Sequence, residues 1–128
     1  MKNLMVHTEL NTDNPAKAKK FYKALFAWKL TDMPGEMPYT LINMGSRMMG
    51  GGIQKKMMPK APTAWLPYVA VADVNKTLAK AKKLGAKIVL PFTEIGDMGT
   101  IGIFLDPTGA SLGVWAMAKK KPAKKSRK

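Results

Sequence analysis

The sequence predicts an α+β fold built from two βαβββ modules. The same order of patterns, a strand, a helix and three strands, occurs twice along the 128 residues. The helix-capping residues Asp13 and Asp73 lie about sixty positions apart, which indicates an internal duplication. A four-stranded sheet with one helix leaves its other face bare, so we expect the modules to associate and enclose a concave apolar space.

The first module covers about residues 4–58 and begins with a strand at Met5–Thr12. Asp13 or Asn14 can accept the free amide hydrogens of the following helix, in which Pro15 takes the first position. Apolar residues recur at helical spacing and predict one buried helix face: Ala18, Phe21, Tyr22, Leu25 and Phe26. Strands are then predicted at 28–33, 38–44 and 47–54. Three successive glycines interrupt the last of them.

The second module covers about residues 63–117 and follows a proline-containing connector. A strand at 65–72 leads to the cap Asp73, and Gly85 ends the helix in a left-handed conformation. The helix carries a narrow apolar stripe of Val74, Leu78, Ala81 and Leu84. Strands are predicted at 86–92, 99–105 and 110–116. The Asp-Pro-Thr-Gly sequence at 106–109 is typical of a tight turn, and residues 1–118 are expected to form a single domain.

Positive charge is concentrated at the end of the chain. The sequence has 22 Lys and Arg against 8 Asp and Glu, a net charge of +14. Seven of these cations lie within residues 119–128: Lys119, Lys120, Lys121, Lys124, Lys125, Arg127 and Lys128. Like charges without apolar periodicity predict a disordered tail. We expect it to act as a solubilising end or as a nonspecific nucleic-acid arm whose binding weakens with salt.

The residue types exclude several classes of protein. With no cysteine there are no disulfides, zinc ribbons, iron–sulfur clusters or thiol nucleophiles, and one histidine gives little to a serine triad or a multi-histidine cage. Apolar stretches are short, and the N-terminal residues have no uninterrupted apolar region of the kind found in signal peptides. A soluble, cytoplasmic protein is the expectation.

Several motifs in order resemble the glyoxalase and bleomycin-resistance superfamily, also called vicinal oxygen chelate proteins. They are Val-His-Thr-Glu-Leu at 6–10, Asp13, Phe-Tyr at 21–22, Phe-Ala-Trp at 26–28, the nine residues 65–73, Leu-Gly-Ala at 84–86, and the turn at 106–109. The resemblance covers about residues 4–117. It implies paired βαβββ modules that form an open, cupped, mixed β-sheet, and usually a homodimer.

The resemblance also implies a divalent ion held by four side chains, from the first and last strands of each module. Carried over by position, these fall on His7, near Gly52 to Gln54, on Tyr68 and on Gly113. Only His7 is a good ligand, since carboxamides and neutral phenols bind such ions poorly and glycine has no side chain. Glu9 could add a carboxylate from the same strand face. Two donors on one strand still leave the opposite wall empty, so we expect no metal and no other cofactor. The alternative is an enzyme that recruits a divalent metal through Glu9 and a partner subunit.

His7 and Glu9 share one strand face and are the candidate catalytic residues. As an acid–base pair, the carboxylate would raise the pKa of the imidazole and orient the ring. The alternative is that both are ordinary half-buried polar residues satisfied by neighbours such as Tyr68. Ligand-binding candidates are Gln54, Trp65, Tyr68 and Trp115, with methionines near the glycine run as flexible apolar lining.

The predicted function is binding of a small apolar or anionic molecule in the cupped sheet. Two activities fit: sequestration, or a metal-independent lyase or isomerase step with His7 as base. An alternative from another class is a DNA-associated dimer that acts through the lysine-rich tail. No membrane partner is expected.

Overall fold

The computed structural model describes residues 3–34, 38–46 and 49–118. The chain forms two compact units, which divide between Val69 and Ala70. Within the described residues, eight strands and two α-helices occur in the order βαβββ-βαβββ, so the predicted α+β class and its repeat are confirmed. None of the helices in the described ranges is long and apolar enough to cross a membrane.

The first unit contains a mixed sheet with strand order β2-β3-β4-β1-β5. Its elements are β1 (Met5–Thr12), α1 (Pro15–Leu25), β2 (Lys29–Met33), β3 (Tyr39–Asn43), β4 (Gly50–Lys55) and β5 (Ala64–Ala70). Strand β1 runs parallel to β4 and antiparallel to β5. The repeat in the sequence assigns β5 to the second module, whereas its pairing with β1 places all but its last residue in the first compact unit.

The core of the first unit lies between its sheet and α1. Leu10, Ile42 and Ile53 are its buried centre. Partly buried apolar residues pack around them: Ala18, Tyr22, Trp28, Leu30, Met44 and Trp65. The Asn14 side chain accepts a hydrogen bond from the Lys17 amide at 3.1 Å, so Asn14 is the helix cap of the two candidates. The predicted apolar helix face is only partly buried, since Phe21, Leu25 and Phe26 are exposed.

The second unit contains three antiparallel strands in the order β8-β7-β6. Its elements are α2 (Val74–Lys83), β6 (Lys87–Glu94), a short 3-10 turn (Gly96–Met98), β7 (Thr100–Leu105) and β8 (Ser111–Ala116). Val74 and Leu78 are the buried residues of α2, and Leu84, at the end of the predicted stripe, is 69% exposed because the helix ends there. Gly85 has a φ of 103° and confirms the left-handed end of the helix.

The turn between β7 and β8 follows its predicted chemistry. The Asp106 carboxylate accepts hydrogen bonds from the Thr108 amide at 2.8 Å and from the Ala110 amide at 3.1 Å. Gly109 has a φ of 96°, a conformation that glycine adopts without steric cost. These interactions fix the register in which β8 returns along β7.

Candidate functional site

The alternation of side chains along β1 separates a core face from a polar face. Leu10 lies beside Trp65 and Ile53 on neighbouring strands and belongs to the core beneath α1. His7 and Glu9, at odd positions, therefore lie on the opposite face. The candidate site is built on this polar face and consists entirely of residues of the first unit.

The Glu9 side chain is the buried centre of the site. Glu9 is only 7% exposed, and burial of a carboxylate is costly unless hydrogen-bond donors surround it. The Tyr39 hydroxyl donates to Oε1 at 2.9 Å. Gln54 Nε2 and the Tyr68 hydroxyl donate to Oε2 at 3.1 and 3.3 Å. These bonds make Glu9 the point at which side chains from β3, β4 and β5 converge.

Tyr39 reaches the site across a glycine. Leu41 of β3 pairs with Gly52 of β4, and Gly52 in turn lies beside Glu9 of β1. A Cβ atom built on Gly52 would overlap the hydroxyl and ring of Tyr39. The absence of a side chain at Gly52 therefore lets Tyr39 extend over β4 and donate to Glu9.

His7 is connected to Glu9 through Tyr39. His7 Nε2 lies 2.7 Å from the Tyr39 hydroxyl oxygen, which donates its own proton to Glu9. The ring of Tyr68, directly opposite His7 on β5, meets the imidazole edge-on with centroids 5.9 Å apart. The half-buried imidazole is thus held between two tyrosines.

Burial dominates the electrostatics of the cluster. It lowers the pKa of His7 below its ordinary value of 6.5, because the imidazolium loses water. It raises the pKa of Glu9 above 4.5, against the opposing hydrogen bonds from Tyr39, Asn11 and Tyr68. The expectation that Glu9 raises the pKa of His7 is therefore wrong in direction: Tyr39 stands between the two groups, and desolvation decides the shift.

The two phenols remain neutral donors at ordinary pH. Burial and the neighbouring Glu9 charge raise the pKa of Tyr39, and the same causes raise that of Tyr68. Neither hydroxyl therefore ionises in the physiological range. Both tyrosines serve as proton-bearing hydrogen-bond donors to the carboxylate.

The structure brings together four of the six residues singled out in the sequence. His7, Glu9, Gln54 and Tyr68 form one hydrogen-bonded and ring-contacting cluster. Trp65 is not part of it. Trp65 and Tyr68 are three positions apart, so Trp65 lies on the opposite face of β5. There it packs in the core, and its indole N–H donates to the Tyr22 hydroxyl at 3.3 Å.

Trp115 lies in the second unit, where its indole nitrogen donates to the Met98 carbonyl oxygen at 2.7 Å. The predicted nucleic-acid arm, residues 119–128, lies outside the described residues. The ligand-binding role of Trp115 and the nucleic-acid-binding role of residues 119–128 remain predictions.

Tyr39 and Asn11 are the members of the cluster that the sequence did not identify. Asn11 accepts from Gln54 Nε2 at 2.9 Å and fixes the amide that also donates to Glu9. The sequence could have identified Asn11, because alternation along β1 places it on the same strand face as His7 and Glu9. No sequence pattern identifies Tyr39 as part of the cluster, since its position there depends on the register of β3 against β4.

The family of the chain follows from comparison with known proteins. Residues 4–114 match the sequence profile of the Glyoxalase/Bleomycin resistance protein/Dioxygenase superfamily. The chain belongs to this superfamily. The resemblance found in the sequence motifs is thereby confirmed.

Individual relatives agree with this assignment. The glyoxylase-like protein CFP32 of Mycobacterium tuberculosis is 33% identical over an alignment of 114 positions, which covers 84% of this chain and 43% of that protein. The anthracycline biosynthesis protein DnrV of Streptomyces peucetius is 21% identical over an alignment of 122 positions, which covers 84% of this chain and 44% of that protein. The chain thus spans less than half the length of these relatives.

A solved structure shows the same fold. Methylmalonyl-CoA epimerase from Mycobacterium tuberculosis has a TM-score of 0.67 and 11% sequence identity, with 91% of this chain and 89% of that chain covered. At this identity the likeness concerns the fold alone.

The donors of this superfamily member do not fit the divalent ion that the family resemblance implies. Two of the implied ligand positions hold the Gln54 amide and the neutral Tyr68 phenol, which are poor ligands. Both oxygens of Glu9 already accept hydrogen bonds from O–H and N–H groups, which a cation bound to this carboxylate would have to displace. Across residues 3–34, 38–46 and 49–118, no three His, Asp or Glu side chains form a metal-binding group.

The close approach of Tyr39 to Gly52 predicts the cost of filling that space. Gly52→Ala should lower the free energy of unfolding by about 1–3 kcal/mol, because a Cβ there overlaps the tyrosine ring. In a Tyr39→Ala background the same change should cost less than about 0.5 kcal/mol. Urea denaturation of the four proteins measures this. Equal costs in both backgrounds would show that Gly52 does not accommodate Tyr39.

The raised pKa of Glu9 predicts a pH-dependent stability. The folded protein holds the Glu9 proton more strongly than the unfolded chain does. The contribution of Glu9 to the free energy of unfolding is therefore fully present below pH 4.5 and is lost as the pH rises through the folded pKa. Relative to Glu9→Gln, the wild type should lose stability as the pH rises above 4.5. Urea denaturation at a series of pH values is the measurement. A difference that stays constant or increases with pH would contradict the assigned shift.

Proposed function

We propose that the polar face of the first unit binds a small organic molecule and that His7 acts there as the base in a metal-independent proton transfer. The reaction class is a lyase or isomerase step that begins with removal of a proton from carbon next to a carbonyl group. The observation that supports this proposal is the hydrogen-bonded chain His7–Tyr39–Glu9.

His7 has the properties that a general base needs. Its lowered pKa keeps the imidazole neutral near pH 7, so a nitrogen lone pair is available to accept a proton. The side chain is half-buried, whereas Glu9 is almost fully enclosed. His7 is therefore the titratable group of the cluster that a bound molecule can reach.

Glu9 and Tyr39 have a supporting role. When His7 takes up a proton, the imidazolium can donate through Nε2 to the Tyr39 oxygen, while Tyr39 donates to the Glu9 carboxylate. The negative charge of Glu9 is thereby relayed to the ring without direct contact. Such fixed groups stabilise the charge that develops during proton transfer.

The surroundings of His7 favour a partly apolar, negatively charged ligand. The rings of Tyr39 and Tyr68 border the imidazole at centroid distances of 6.4 and 5.9 Å and offer apolar contact. The net charge of +14 attracts anions over long range. The relative DnrV, named for anthracycline biosynthesis, also supports a small organic ligand.

Hydrogen–deuterium exchange at carbon tests the proposal. The protein, stripped of metals with EDTA, is incubated in D₂O with hemithioacetals of methylglyoxal and with 2-oxo acids, and proton NMR follows the loss of the C–H signal next to the carbonyl. Wild-type protein should catalyse exchange for at least one compound, and His7→Gln should reduce the rate by about 10²–10⁴-fold, the usual contribution of a general base.

Tyr22→Phe is the control, since Tyr22 lies in the core on the other sheet face and should leave exchange unchanged. Exchange that requires an added divalent ion, or that survives His7→Gln, would contradict the proposal. A compound that raises the melting temperature without exchanging would favour sequestration instead.

A further inference from the structure

The protons of the His7–Tyr39–Glu9 chain can be assigned one by one. Tyr39 has a single hydroxyl proton, and it donates that proton to Glu9 Oε1 at 2.9 Å. The 2.7 Å contact between the Tyr39 oxygen and His7 Nε2 then needs a proton on Nε2. In the neutral imidazole the other nitrogen, Nδ1, must carry the lone pair.

We propose that Tyr39 holds His7 in the Nε2–H tautomer, which makes Nδ1 the basic atom, and that Gly50 keeps the space beside Nδ1 open for substrate. Tyr39 is accordingly a positioning residue and Gly50 determines access. The tautomer of His7 is a property of the protein without substrate. The role of Gly50 rests on the proposed function.

Gly50 lies directly beside His7 in the parallel pairing of β1 with β4. A Cβ atom on Gly50 would be 3.6 Å from His7 Nδ1, which is an ordinary contact distance. A substrate carbon must come to a similar distance from the nitrogen to transfer its proton. Any side chain at position 50 would therefore compete with the substrate for the same space.

The two glycines of β4 that share this face consequently have different roles. The space above Gly52 is filled by Tyr39, whereas the nearest atom of the described residues to a Cβ at Gly50 is His7 Nδ1. Tyr39 thus covers the Nε2 side of the imidazole, and Gly50 borders the Nδ1 side. A substrate with an acidic C–H beside a carbonyl is expected to approach along the Gly50 side of the ring.

Tyr68 provides a matched comparison for Tyr39. Both hydroxyls donate to Glu9, but Tyr68 donates to Oε2 and contacts His7 through its ring edge. Replacing Tyr68 by phenylalanine removes a donor to Glu9 and retains the ring. Replacing Tyr39 by phenylalanine removes a similar donor together with the acceptor of His7 Nε2.

Nitrogen NMR of the imidazole tests the tautomer without any ligand. His7 is the only histidine of the chain, so protein labelled with ¹⁵N-histidine gives signals from one imidazole. At about pH 8, above the lowered pKa of His7, long-range ¹⁵N–¹H spectra distinguish a protonated nitrogen from one with a lone pair. Wild-type protein and the Tyr68→Phe variant should both show protonated Nε2 and lone-pair Nδ1.

In Tyr39→Phe the two nitrogen shifts should move toward each other, because neither tautomer is then fixed. Protonated Nδ1 in the wild type would overturn the assignment, as would a Tyr39→Phe spectrum identical to that of the wild type. Thermal unfolding of each variant establishes that the spectra come from folded protein.

Gly50→Ala tests access to Nδ1. The variant should keep the wild-type nitrogen shifts and melt as a folded protein, while carbon–hydrogen exchange falls by about tenfold or more because the substrate is displaced from Nδ1. Unchanged exchange in a folded Gly50→Ala protein would overturn the role of Gly50. Absence of exchange in the wild type would count against the proposed function, whereas the NMR result for Tyr39 is independent of it.

Discussion

A carboxylate buried in a sheet must be surrounded by hydrogen-bond donors, and Glu9 imposes this requirement on the first unit. Tyr39, Gln54 and Tyr68 come from three different strands, and each donates to Glu9. Their positions follow from the cost of leaving a buried charge unpaired, which exceeds that of most single lost contacts. The arrangement of the polar face, including the orientation of His7, depends on this one group.

The opposite faces of the same sheet have separate roles. Leu10, Ile42 and Ile53 pack beneath α1 and supply the apolar burial that holds the strands together. Because that burial stabilises the sheet, the other face is able to carry polar groups that do not pack in the core. Gly52 of β4 extends this division, since it gives up side-chain packing and lets Tyr39 approach the strand closely.

Much of the fold could be predicted from the sequence, because local signals determine it. The strand Met5–Thr12 was predicted with its observed bounds, since alternation ends at an Asp-Asn-Pro cluster that begins a helix. Capping by Asp73 and the left-handed Gly85 are likewise local and were found. The fourth strand of the first module, β4, begins at Gly50, a boundary that the pattern around the glycines did not specify.

The site was less predictable because it depends on contacts between distant strands. Glu9 and Tyr39 are thirty positions apart, and their contact requires both the register of β3 on β4 and a bare Gly52 between them. Trp65 is a different case. Its odd separation from Tyr68 already placed the two on opposite faces of β5, so strand parity alone could have removed it from the predicted pocket.

The central claim is that hydrogen-bond donors, and not a metal ion, satisfy Glu9. Elemental analysis of protein purified without chelators, followed by calorimetric titration with Zn²⁺, Mn²⁺ and Ni²⁺, tests this most directly. The account predicts far less than one ion per chain and no tight binding in the titration. One ion per chain, lost on replacing Glu9 by glutamine, would contradict it.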